Sequence, residues 1–179
     1  MLRTRWAVGA DSSRNSSRTY NVRIMRMGKG VEWAIHTLLN LAVVGGGPVG
    51  SVRLADAHGL PAAYLNKQLQ QLVKAGLLAS TPGPRGGFGL TRPLEEITLL
   101  DVVQAIEGDT QLFPCAEIRC QGKIGELAPA PTGACAVKAA MARADRAWRE
   151  ALAGQSLAEI RTELDRTPVF GNIVRSVLG

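Results

Sequence analysis

Acidic residues are missing where this chain is most basic. Arg3, Arg5, Arg14, Arg18, Arg23 and Arg26 have only Asp11 for company, and the stretch from Pro61 through Ala79 holds no aspartate or glutamate. Across 179 residues, 21 lysines and arginines face 15 acids, a formal charge of +6, which favours an anionic partner such as nucleic acid. Much of that excess sits before position 27, so the global charge is weaker support than the local lack of acid in 61–79. Long apolar runs are also absent: nothing approaches the roughly 20 residues a membrane-spanning helix needs. No apolar run with a small-residue cleavage site follows the N-terminal arginines, which argues against a secretory signal and for the cytoplasm. Cysteine is scarce and odd in number, at three, which fits a reducing compartment better than a disulfide framework. No C-x-x-C motif suggests a thioredoxin-like oxidoreductase, and no nucleophile and base stand together as a hydrolase requires. The expectation is a protein that is not an enzyme.

What is present is apolar: 46% of residues are hydrophobic, ample for one domain of ordinary size with an appendage. Residues 1–24, rich in Ser, Arg and Asn, read as a disordered leader, or as an extension upstream of a natural start at Met25 or Met27. From Val31 the apolar residues Val31, Ala34, Ile35, Leu38, Leu41 and Ala42 follow a helical period, stopped by Gly45-Gly46-Gly47-Pro48. A second short helix follows Ser51 and ends at His58-Gly59; Pro61 opens a third, with Leu65, Leu69, Leu72 and Val73, closed by Lys74-Ala75-Gly76. Two short helices joined by a glycine turn make a helix-turn-helix. Leu77–Ser80 and Phe88–Thr91 then flank a glycine-rich tip, a two-stranded wing. Thr98-Leu99-Leu100-Asp101 resembles a capping box and starts a fourth helix that runs to Gly108. The reading is a mainly α protein with a small β wing: a winged helix-turn-helix over 25–108, a cysteine-containing loop over 109–134, a dimerisation helix region over 135–165 and a tail over 166–179.

The third helix presents Tyr64, Asn66, Lys67, Gln68, Gln71 and Lys74 on the face read as outward, groups that hydrogen-bond base edges and phosphates of double-stranded DNA. A merely solvated face would usually mix glutamate with lysine. At the wing tip Arg85, between Pro84 and Gly86-Gly87, is placed to reach a phosphate or the minor groove. A glycine-rich loop can also cradle a nucleotide phosphate, but this one joins strand to strand and leads into no helix. The helix from Cys135 carries Val137, Met141, Ala144, Trp148, Ala151 and Leu152 on one stripe, opposed by charged residues. So long a stripe beyond the winged core predicts self-pairing as a homodimer.

The runs Gly30-Val31-Glu32-Trp33-Ala34, Leu54-Ala55, Tyr64-Leu65, Arg85-Gly86-Gly87-Phe88 and Glu96 through Gly108 together resemble the Rrf family of winged-helix regulators, whose branches include IscR-like, NsrR-like and RsrR-like proteins. The resemblance covers residues 25 to about 164. It implies an iron-sulfur cluster held at the cysteine loop, where this chain has Cys115, Cys120 and Cys135. The wide interval from Cys115 to Cys135 is similar to the RsrR-like branch, with His58 matching a histidine at the end of the second helix and Glu32 a glutamate in the first. That branch implies a 2Fe-2S cluster on Glu32, His58, Cys115 and Cys135, the two pairs coming from opposite subunits, with no role for Cys120. The chemistry is coherent: thiolates are the usual ligands, histidine can replace them on one iron, and a carboxylate oxygen suits ferric iron. The function implied is a DNA-binding regulator of redox or iron-sulfur status, in which a change of one electron resets the spacing of two recognition helices. His36, one turn from Glu32, is a competing nitrogen ligand. A 4Fe-4S nitric-oxide or iron sensor on all three cysteines, a zinc-stabilised interaction module and three metal-free thiols are the alternatives.

Overall fold

The structure is a computed structural model that describes residues 27–109, 111–127 and 132–179; the expected leader, 1–24, lies outside the described residues. Helix α1, Lys29–Val43, begins two residues before the expected start and buries Val31, Ala34, Leu38 and Leu41 on its helical period. Helix α2, Ser51–Ala57, buries Leu54 and Ala55. Helix α3, Ala62–Lys74, follows Pro61 and buries Leu65, Gln68, Leu69 and Leu72. Strands β1, Leu78–Thr81, and β2, Gly87–Leu90, pair antiparallel in the register Leu78↔Leu90 and Thr81↔Gly87.

Both strands sit one residue nearer the tip than expected. The cause is local: Leu77 N donates to Leu72 O at 2.9 Å and Gly76 N to Val73 O, so Leu77 completes the C-terminal cap of α3 before the strand begins. An isolated bridge between Val49 and Phe88 adds a third backbone segment to the wing. There a side chain at Gly87 would place its Cβ 2.3 Å from the Val49 carbonyl, so only glycine permits the approach.

Helix α4, Leu99–Glu107, starts at Thr98, whose side chain accepts from Asp101 N while the Asp101 carboxylate accepts from Thr98 N, the reciprocal cap the sequence predicts. The long loop is not structureless: it contains a 3-10 turn at Ile118–Cys120 and helix α5, Gly122–Leu127. Helix α6, Ala136–Ala153, has no buried residue. Helix α7, Leu157–Asp165, has its own capping box, Ser156 with Glu159. Leu157 N donates to Ile97 O at 2.8 Å and Leu99 N to Gln155 O at 2.9 Å, which sets the starts of α4 and α7 side by side.

The segment expected as a tail is helical. Helix α8, Pro168–Leu178, buries Val174 and Leu178 in the same core as α1 and α2. Pro168 at its first turn is a start signal, and Phe170, Val174 and Leu178 recur every four residues, the spacing of one helix face. Among the described residues no helix is long and apolar enough to cross a membrane.

Candidate functional site

Two groups of residues stand out, the DNA-facing set predicted on α3 and the wing, and the cysteines around the start of α6. On α3, Tyr64, Asn66, Lys67 and Lys74 are exposed. Tyr64 is held at one edge by Trp33 of α1, their rings 4.6 Å apart in an edge-to-face contact. Gln68, expected to face outward, is 6% exposed and cannot reach a base edge. Its position is that of an inner-face residue: Leu65, Gln68, Leu69 and Leu72 run i, i+3, i+4, i+7. Among the described residues its Oε1 has no hydrogen-bond partner, and it lies 3.0 Å from where a Cβ on Gly30 would stand, so α1 and α3 approach closely there. Gln71 is half-buried; its Nε2 donates to Ile106 O at 3.3 Å, which ties α3 to α4. Arg85 is exposed at the wing tip. Gly86 and Gly87 shape the hairpin, since a Cβ at Gly86 would fall 2.1 Å from Thr81 O.

The second group is tighter. Ligand atoms of Cys115, Glu117 and Cys135 all lie within 4.8 Å of one another. Cys135 is the N-cap of α6. Backbone N–H groups of Lys138 and Val137 and the nearby Arg119 guanidinium hold its thiol pKa below the ordinary value, against the opposing effects of burial and Glu117. Cys115 Sγ donates to Glu117 Oε1 at 3.8 Å. Glu117, with a left-handed φ of 48°, accepts from Arg119 Nε at 2.8 Å, and that bond is the main reason its carboxyl pKa is lowered. Arg119 Nη2 also donates to Gly133 O, closing the loop across to the residue pair before Cys135. Two thiols and a carboxylate are a donor set that suits iron or zinc. Cys120 is exposed and outside the group. Glu117 was not singled out in the sequence; its nearness to Cys115 was visible there, but the backbone turn that folds it back was not.

The other predicted ligands lie elsewhere in the protomer. Glu32 is exposed on α1. His58 caps the C-terminus of α2, half-buried, with Asn40 Nδ2 donating to its Nε2 at 3.0 Å. Its ring is 6.4 Å from that of His36. Burial first, and then His36, push the His58 pKa below its usual range. Among the described residues the structure therefore joins Cys115 to Cys135 and His58 to His36, and places neither Glu32 nor His58 in the thiol group of the same chain.

Compared with known proteins, residues 27–163 match Rrf2, a family described as an iron-dependent transcriptional regulator. The chain is 35% identical over 142 residues to YwgB of Bacillus subtilis (strain 168), a protein named as an HTH-type transcriptional regulator, covering 76% of this chain and 84% of that one. It is 31% identical over 102 residues to the HTH-type transcriptional regulator IscR of Sodalis glossinidius, covering 56% of this chain and 59% of that one. Among solved structures, CymR, the global cysteine regulator of B. subtilis, superposes with a TM-score of 0.60 at 21% identity, over 78% of this chain and 98% of that one. IscR of T. potens does so with a TM-score of 0.58 at 22% identity, over 78% and 88%.

Proposed function

The chain belongs to the Rrf2 family of transcriptional regulators, and from that premise we propose that it is a dimeric cytoplasmic regulator that binds duplex DNA through α3 and the wing and reads iron or redox status at Cys115 and Cys135. The observation that carries the sensing part is the convergence of Cys115, Glu117 and Cys135 at the N-cap of α6, outside the winged core. In the favoured form these thiols hold a 2Fe-2S cluster together with Glu32 and His58 of the partner protomer. When bound, that group supplies a one-electron couple. Cys115 and Cys135 provide thiolate donors, and Arg119 neutralises charge gathered there. His58 has an unprotonated ring favoured by burial, the form that can donate to a metal. On the DNA side, Tyr64, Asn66 and Lys67 are the exposed groups for base edges, while Lys74 and Arg85 serve phosphates.

A second reading rests on the same pair: two free thiols this close form a metal-free redox site. Anaerobic purification with a visible spectrum and iron, sulfide and zinc analysis separates the readings. Cys115→Ala and Cys135→Ala should abolish the colour and Cys120→Ala retain it; loss on removing Cys120 would assign a three-cysteine 4Fe-4S site. Colourless protein with zinc identifies the zinc-stabilised module, and colourless metal-free protein the thiol pair. Independently, Arg85→Ala should weaken binding to every duplex and lower the salt slope by about one unit; unchanged affinity removes the wing from the interface.

A further inference from the structure

Helix α8 lies beyond the residues matched to the family, and its last turn is held by a residue of the helix-turn-helix. Arg53, on α2, donates through Nε to Val177 O at 3.1 Å and through Nη2 to Gly179 O at 2.6 Å. The final carbonyls of a helix have no partner within it and carry the negative end of its dipole. Two adjacent donors of the guanidinium fork thus meet two oxygens, as they would on a phosphate. Arg53 also faces a cleft of about 560 Å³ between α2 and the wing tip, lined on its other sides by Val52, Asp56, Arg85, Gly86 and Leu178. Asp56 is its acidic lining residue; Arg53 and Arg85 outnumber it. In helix-turn-helix proteins the first helix crosses the DNA backbone while the second enters the groove, and α2 shares this cleft with the wing arginine.

We propose that the C-terminal turn of α8 occupies Arg53 in place of a DNA phosphate, so that the docked helix masks one of the protein's backbone contacts. The inference rests on the DNA-binding reading above and adds a regulatory element to it. The turn is suited to release. Leu178, 3% exposed, is the buried side chain of its last three residues, whereas Val177 and Ile173 on the neighbouring stripe are exposed. Lifting one turn frees both donors of Arg53 and leaves Val174 docked. Release would add one phosphate contact without altering the groups on α3 that face bases, so it changes affinity for all sequences alike.

The test uses the full chain and a 30-base-pair random-sequence duplex at about 50 mM salt, where phosphate contacts dominate. Four proteins are compared: the unmodified chain, Arg53→Gln, Leu178→Glu to undock the turn, and the double variant. Leu178→Glu should tighten binding about 3- to 10-fold and steepen the salt slope by about one unit. Arg53→Gln should change the unmodified chain less than about 2-fold, yet reverse the gain in the Leu178→Glu background. Equal losses from Arg53→Gln in both backgrounds mean that Arg53 reaches phosphate with α8 in place, and the masking is wrong. Should Leu178→Glu fail to fold, hydrogen exchange on the unmodified chain decides: DNA should speed exchange of amides 176–179, and unchanged or slower exchange overturns the proposal. If no variant binds the duplex, the DNA-binding reading itself falls, an outcome distinct from binding that ignores α8.

Discussion

Gly87 illustrates how much of this protein rests on single atoms that are not there. Its missing Cβ would stand 2.3 Å from the Val49 carbonyl, so Gly87→Ala forces the wing away from the segment before α2. Overpacking of this kind costs about 1–3 kcal/mol, to be measured by urea unfolding, with Arg85-dependent DNA binding lost in parallel. His58 behaves differently, because its effect depends on pH. Its folded pKa is lowered, so below the unfolded value of about 6.5 the unfolded chain takes up a proton that the folded chain resists. Stability of the metal-free protein should be full above that pH and fall as pH drops towards the lowered folded value. His58→Gln should flatten the curve; an unchanged slope would show that another group titrates. The residue types at both sites were legible in the sequence, but their directions were not all so. Cys115 and Cys135 do converge, whereas Gln68 was read by its chemistry when its spacing from Leu65 and Leu69 already assigned it inward. Glu117 reaches the thiols through a left-handed backbone angle, which a glutamate does not advertise.

Elements with strong local signals came through best, and those with their ends set by neighbours shifted. The reciprocal caps at Thr98 and Ser156 follow from side chains three residues apart, a purely local pattern. The strands moved because Leu77 serves the end of α3, a contest between elements that periodicity does not weigh. Helix α8 was missed although Pro168, Phe170, Val174 and Leu178 carry the helical pattern, because a terminal segment with modest length was read as a tail. The two capping boxes meet at the bridge between Thr98 and Ser156. Thr98→Ala and Ser156→Ala should each cost about 1 kcal/mol. Together they should depart from additivity by at least about 0.5 kcal/mol, since each cap fixes the backbone that the other leans on. Urea unfolding of the three variants reads this; strictly additive losses would mean that α4 and α7 start independently.

At the scale of the molecule, the winged core and the cysteine-bearing arm are built on different principles. Leu38, Leu54, Leu69, Ile97 and Leu157 are fully buried in one cluster, while α6 has no fully buried residue and is tied to the segment after α4 by Arg149, which pairs with Asp109, and by Asp145, which accepts from Leu112 N. Its 18 residues extend about 27 Å, against about 13 Å for α4, so the half bearing Cys135 projects past the core. The backbone bonds between Leu99 and Gln155 and between Ile97 and Leu157 give this arm a property of a different kind. The chain leaves the core at Gly108 and re-enters it at Gln155, about one α4 length away, so the whole excursion is a cassette mounted on a finished domain. A six-residue Gly/Ser linker, reaching about 20 Å, spans that gap. Replacing residues 109–154 with it should leave a cooperative, monomeric winged domain that keeps α7 and α8, binds no iron, and engages DNA only as a half-site. Sedimentation and thermal unfolding test this. A chain that fails to fold would show that the arm is part of the core's own foundation, and that neither could have been exchanged without rebuilding the other.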